Sequence, residues 1–143
     1  MQVLAALSVG ALIVTGCGGD DDALSEDELV EQGNAICAEH TAPIEAAAGE
    51  LLAGGQLPSE KDFGKLANET IIPEYGAQIE ELRALEPPED LSDSYAQWLD
   101  DSQSLLEQIK KDPSLITDPS NFSSVNQQAD ELGLASDCHA GPE

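Results

Sequence analysis

The sequence predicts an all-α fold: an up-down four-helix bundle with kinked helices, one disulfide and a disordered N-terminal tether. Three observations carry this expectation. Apolar residues recur at helical spacing in four separate stretches, most cleanly as Leu91, Tyr95, Trp98, Ser102, Leu105 and Ile109. No alternating apolar–polar stretch bounded by turn residues occurs, which leaves no sheet to build. Aromatic residues make up only 3% of the chain, so the core must come from Leu, Ile, Val and Ala, a composition that suits packed helices better than a β-sandwich.

The N-terminal apolar run starts at Val3, ends in Leu12-Ile13-Val14-Thr15-Gly16-Cys17 and opens onto Gly18-Gly19-Asp20-Asp21-Asp22. Such a run, closing on small residues directly before a cysteine, is the pattern of a bacterial lipoprotein signal peptide. Val14, Thr15 and Gly16 supply the aliphatic residue and the two small ones. Residues 1–16 therefore read as the signal peptide and Cys17 as the lipidated residue, with a diacylglyceryl group on its sulfur. A transmembrane helix needs about 20 apolar residues, and this run is shorter. Met1-Gln2 bring no Lys or Arg to the start, so the expected translation start lies upstream, ahead of a short basic stretch. The predicted location is the extracytoplasmic face of the cell membrane, held there by lipid.

Residues 17–27 read as a lipidated acidic tether, because small residues and acids bury too little apolar surface to order themselves. The domain is expected over residues 28–138, with 139–143 as a tail. The first helix begins near Ser25, which has capping-box spacing to Glu28, and runs to Leu51-Leu52. Val30, Cys37, Ile44 and Leu51 recur every seven residues, with Gly33, His40 and Ala47 between them, as a narrow seam toward partner helices. Pro43 is expected to kink or split that helix, and Gly54-Gly55 to end it.

The second helix starts near Pro58-Ser59-Glu60 and continues to about Leu85. Its stripe changes from Phe63, Leu66 and Thr70 to Ile72, Tyr75, Ile79 and Leu82, and the change at Pro73 predicts a bend. Pro87-Pro88 stops it. The third helix runs from Leu91, with Asp90 or Ser92 as its cap, to Lys110-Lys111, and Asp112-Pro113 closes it. Asp118-Pro119 opens the fourth, with Phe122, Val125, Ala129 and Leu132 as its stripe. Gly133 has the place of a left-handed C-cap residue, and Leu134 that of its hydrophobic contact.

With Cys17 lipidated, Cys37 and Cys138 are the two cysteines left of three. An even pair in an exported domain points to a disulfide. In an up-down bundle the fourth helix ends near the start of the first, which brings Cys138 toward Cys37.

The chain carries 29 acidic residues against 5 basic ones, a net charge of −24. With no basic stripe to neutralise phosphates, nucleic acid is excluded as a partner. Anionic headgroups repel such a body, so membrane attachment must come from the lipid anchor. The natural complement to this charge is a cationic protein or peptide.

No Gly-x-Ser-x-Gly, phosphate-cradling glycine loop or His-Glu-x-x-His occurs, and Cys37 and Cys138 have a structural use. The sequence therefore predicts no catalytic residue, no cofactor and no enzyme. His40, on the inward seam, is a weak metal candidate. Bundle metal sites take Glu-x-x-His pairs from facing helices. Here Glu39 and His40 are adjacent and point to different faces, and His139 lies in the tail, so a satisfied or partly exposed histidine is the reading adopted. Trp98 has core spacing and reads as packing.

Three short motifs, Asn34-Ala35-Ile36-Cys37, Leu82-Arg83-Ala84-Leu85 before Pro87, and Ala129-Asp130-Glu131-Leu132-Gly133-Leu134 ahead of Cys138, carry a resemblance. The arrangement resembles small exported or lipid-anchored proteins of actinobacteria, rich in Ala and acids and without assigned activity. It covers most of the mature chain. The resemblance implies a helical bundle closed by the two cysteines and brings no catalytic or binding residues. The function expected first is thus a non-enzymatic, lipid-anchored binding or scaffolding module of the cell envelope. The alternative is a metal- or small-ligand-binding lipoprotein that uses an inter-helical pocket near His40.

Overall fold

A computed structural model of the chain describes residues 23–53, 55 and 58–142. Cys17, the signal-peptide residues and 17–22 of the tether lie outside the described residues. Those described are all helix, turn and loop, with no strand. In order they form α1 (Glu26–Leu52), α2 (Glu60–Leu66), a π turn (Ala67–Ile71), α3 (Ile72–Arg83), α4 (Ser92–Lys111), 3-10 turns at Pro113–Thr117 and Pro119–Phe122, α5 (Ser123–Glu131) and a last 3-10 turn at Ser136–Cys138. Because α2, the π turn and α3 run on without a break, the described backbone makes four helical segments.

The local signals decide where each helix starts and ends. At α1 the expected capping box forms: the Glu28 N–H donates to Ser25 Oγ at 3.4 Å and the Ser25 N–H to the Glu28 carboxylate at 3.0 Å. The chain docks even earlier, since the Leu24 N–H donates to Glu86 O at 2.8 Å. Ser59 and Asp62 make a second box at the start of α2. Helix α1 passes through Pro43 without splitting. The missing N–H leaves the carbonyl of Glu39 without its helical donor, and both residues are exposed.

Before Pro73 the helix widens instead of breaking. The Ile72 N–H donates to Ala67 O, five residues back, and the extra residue rotates the apolar stripe onto Tyr75, Ile79 and Leu82.

Two expected helix starts are corrected. Neither Asp90 nor Ser92 caps α4, because Leu91 at its N-terminus already has helical φ and ψ of −101° and −9° and no side chain bonds there. The turn closed by the Leu91 N–H to Pro88 O at 3.0 Å leads straight into the helix. Asp118-Pro119 opens a 3-10 turn and not the fourth helix, which starts at Ser123. The Asp118 carboxylate takes the Ser120 N–H at 3.0 Å, and that tight local bond favours the three-residue repeat. Asp112 does the same to Ser114 at 3.1 Å ahead of Pro113. At the far end Gly133 takes φ +76°, and the Leu134 N–H reaches back to Ala129 O at 3.0 Å, the expected left-handed cap.

Helices α1 and α3 run in opposite directions, for Gly33 faces Leu82 while His40 meets Glu74. Helices α3 and α4 are likewise antiparallel, since Leu82 O accepts from the Tyr95 hydroxyl at 2.8 Å while Gly76 faces Leu106. The core between them holds Leu29, Leu82, Trp98, Leu99 and Ile109, joined by Phe122, Ala129 and Leu134 from the C-terminal part. A disulfide joins Cys37 and Cys138 across 101 residues, and both are buried. The chain around it is pinned to α1 a second time, where the Ala135 N–H donates to the Asn34 side chain at 2.7 Å.

Candidate functional site

Burial along α1 changes abruptly at His40. Leu29, Gly33, Cys37 and His40 are buried, and beyond His40 no residue of the helix is. Ile44, Ala48 and Leu51 stay half-buried and Leu52 is 60% exposed. Their apolar side chains form one wall of a cavity of about 570 Å³. Its other walls are Phe63 and Leu66 from α2, Tyr75 and Gln78 from α3, Ile109 from α4, and Phe122 with the segment from Ser136 to Pro142. The volume lies within the roughly 300–1,000 Å³ of small-molecule sites. A smaller cleft of about 250 Å³, bounded by Asp101, Gln108 and Asn121 on another side of α4, is polar and holds no comparable apolar wall.

The cavity is hydrocarbon over most of its lining, with a few oriented polar groups. Gln78 is 4% exposed and its Nε2 donates to Cys37 Sγ at 3.4 Å, tying the cavity wall to the disulfide. Burial pushes the Tyr75 hydroxyl up to about 12, so it stays a neutral phenol at any physiological pH. Thr41 donates to Asp137 O at 2.8 Å. The C-terminal segment is held over the cavity by a two-way bond, in which the Ala140 N–H donates to Asn126 Oδ1 at 2.8 Å and Asn126 Nδ2 to Ala140 O at 3.0 Å. His139 Nε2 lies 2.9 Å from Asp130.

The cavity is partly open to solvent, and the exposed Leu52 stands at its edge, so water enters it when no ligand is bound. Water against hydrocarbon walls is poorly held, and an apolar ligand displaces it favourably.

His40 sits beside the cavity, one residue before Thr41. Its Nδ1 lies 2.9 Å from Glu74 Oε2 and its Nε2 3.2 Å from Glu81 Oε1. Burial by itself lowers the pKa of His40, but the hydrogen bonds and charges of the two carboxylates outweigh it, and the net value lies above the ordinary 6.5. Only the protonated ring donates to both partners. The histidine is thus a clasp between α1 and α3. Each carboxylate takes a different ring nitrogen, so the pair does not converge on one point where an ion could sit. Among the described residues no group of three or more His, Cys, Asp or Glu side chains is placed to hold a metal ion.

Of the residues singled out from sequence, Cys37, Cys138 and His40 come together at one level of the fold, and Cys17 lies outside the described residues. Trp98 is 2% exposed and packs near Tyr95 with ring centroids 5.7 Å apart. Glu74 and Glu81 were not anticipated as partners of His40; their seven-residue spacing, which puts both on one face of a helix, is the available signal. Gln78 and the cavity itself have no signature in the spacing. Comparison with known protein families, with characterised proteins and with solved structures finds no match for this chain.

Proposed function

We propose that this protein is a non-enzymatic, lipid-anchored module on the extracytoplasmic face of the cell membrane that binds a small apolar ligand between its helices. The single observation that supports the binding role is the cavity of about 570 Å³ with hydrocarbon walls beside His40. The anchor rests on the sequence pattern at Val14 to Cys17, in keeping with the resemblance to small actinobacterial lipoproteins. Among the described residues no helix is long and apolar enough to cross a membrane. In this reading the residues from Cys17 to Ala23 tether the body, a shorter tether than expected because Leu24 is docked and Glu26 and Asp27 already lie in α1. The helices form an up-down bundle whose long members bend near Pro43 and Pro73, and the segment after Cys138, expected as a tail, closes over the cavity.

A titration with Nile red, an uncharged environment-sensitive dye, tests the binding role: saturable binding of one dye per chain is expected, and its absence overturns the proposal. For the anchor, Cys17→Ala should leave the precursor unprocessed or release the protein from the membrane fraction. A processed, still-anchored variant refutes lipidation at Cys17.

One further observation favours a second binding role. The net charge of −24 is spread over exposed carboxylates, which suits a cationic protein or peptide docked on the surface. Retention of a polylysine peptide that weakens steeply with added salt is the result expected.

A further inference from the structure

The lining of the cavity narrows the class of ligand, on the reading that the cavity binds one at all. Its polar groups are mostly neutral or acidic. Thr41, Gln78 and Tyr75 are neutral, whereas Glu45 and Asp137 are acids. None of the five cations of the chain, Lys61, Lys65, Arg83, Lys110 and Lys111, lines it. Three of them are paired with acids elsewhere, in Arg83–Asp100 at 2.8 Å, Lys110–Glu107 at 2.7 Å and Lys65–Glu69 at 3.8 Å. The one basic side chain at the lining, His139, has its Nε2 on Asp130 at 2.9 Å.

A carboxylate or phosphate headgroup would therefore enter an apolar site with no counter-ion, inside the field of a body of charge −24. A hydroxylated, uncharged headgroup has no such cost and finds donors and acceptors in Gln78 and Thr41. The hydrocarbon walls, running from Ile44 and Leu51 past Phe63 and Leu66 to Ile109, suit a long alkyl chain, and the volume suits one chain.

We propose that the cavity takes an uncharged single-chain amphiphile, an acyl chain on a hydroxylated headgroup, and rejects the anionic form of the same chain.

The experiment compares 1-monooleoylglycerol with oleate at pH 8, each below its micelle-forming concentration, as displacers of Nile red from the purified chain, with native mass spectrometry for stoichiometry. One monooleoylglycerol per chain is expected, with oleate weaker by about tenfold or more, the effect of one unpaired buried charge. Ala48→Lys puts a cation on the α1 wall and should raise the ratio of oleate to monooleoylglycerol affinity by about tenfold, whatever its bulk costs both lipids alike. Ile44→Trp obstructs the cavity and should weaken binding of both; if it does not fold by circular dichroism, Ala48→Phe makes the same test. Equal affinity for the two lipids, or no gain for oleate relative to monooleoylglycerol in Ala48→Lys, overturns the charge selection while the cavity reading stands. Nile red binding without monooleoylglycerol binding overturns the ligand class. No binding of dye or lipid overturns the cavity reading itself.

Discussion

Helix α1 lives in two surroundings. From Leu29 to His40 four inward positions are buried, although Val30 of the seam is half-buried: Leu29 is 1% exposed and Cys37 0%, and a Cβ on Gly33 would stand 2.9 Å from a methyl of Leu134. From Thr41 to Leu52 the same heptad seam continues, yet Ile44 and Leu51 are only half-buried, and a Cβ on Gly49 would meet nothing within 4 Å. The sequence pattern is equally apolar in both halves. What differs is the partner: the first half is clamped by the disulfide, α3 and Leu134, whereas the second faces α2, Tyr75 and the Ser136 to Pro142 segment across a space. One end holds the buried core of the helix and the other borders the cavity.

The largest test of that division is the disulfide. Replacing both cysteines, as Cys37→Ala with Cys138→Ala, frees a loop of 101 residues and should cost up to about 4–5 kcal/mol in the entropic account. Thermal unfolding followed by circular dichroism checks this, with helical content at low temperature expected to survive. A melting point unmoved by reduction would place the stability elsewhere.

Next in size is a matched pair of truncations. Leu82 is 1% exposed in the closed end, so Leu82→Ala should destabilise by about 2–5 kcal/mol. Leu51, half-buried on the cavity wall, should lose less than about 1 kcal/mol as Leu51→Ala, because it already borders open space. Chemical denaturation of the two variants decides; equal losses would erase the contrast between the halves.

The two glycines of α1 sharpen it further. Gly33→Ala must displace Leu134, an overpacking cost of about 1–3 kcal/mol, offset in part by the better helix propensity of alanine. Gly49→Ala meets no neighbour and should stabilise by about 0.5–1 kcal/mol. Opposite signs from the same substitution in one helix are the expected outcome, read as shifts in melting temperature.

The smallest effect is expected at the boundary residue. His40 has its pKa raised in the folded state, so protonation and folding favour each other. Its contribution is fully present below the ordinary value of 6.5 and is lost as pH rises through the higher folded value. The difference in melting temperature between the wild type and His40→Gln should therefore shrink as pH increases across that window. A difference that grows with pH would mean that the clasp of Glu74 and Glu81 holds a neutral ring.

Much of the fold was legible because it is written in short-range spacing. Ser25 with Glu28 makes a cap within one turn, Gly133 satisfies a left-handed position within its own residue, and the stripe from Leu91 to Ile109 faces the core in every bundle that buries it. The 3-10 turns at Asp112 and Asp118 were harder to read, since an acid before proline can open either kind of helix. The unexpected π turn at Ala67–Ile71 resolves a conflict between Pro73 and the two apolar stripes beside it, and only the neighbouring helices choose how such a conflict is settled.

The sequence by itself determined that this chain is helical, that Ser25 and Gly133 cap the helices beside them, and that it is strongly acidic. These follow from local backbone chemistry and from composition, which hold whatever the chain packs against. Tertiary structure alone decided that His40 meets Glu74 and Glu81, that Gln78 reaches the disulfide, and that the second half of α1 borders a cavity instead of a core. Each of those depends on how far apart two distant segments come to rest, and no spacing along a single helix specifies the distance to its neighbour.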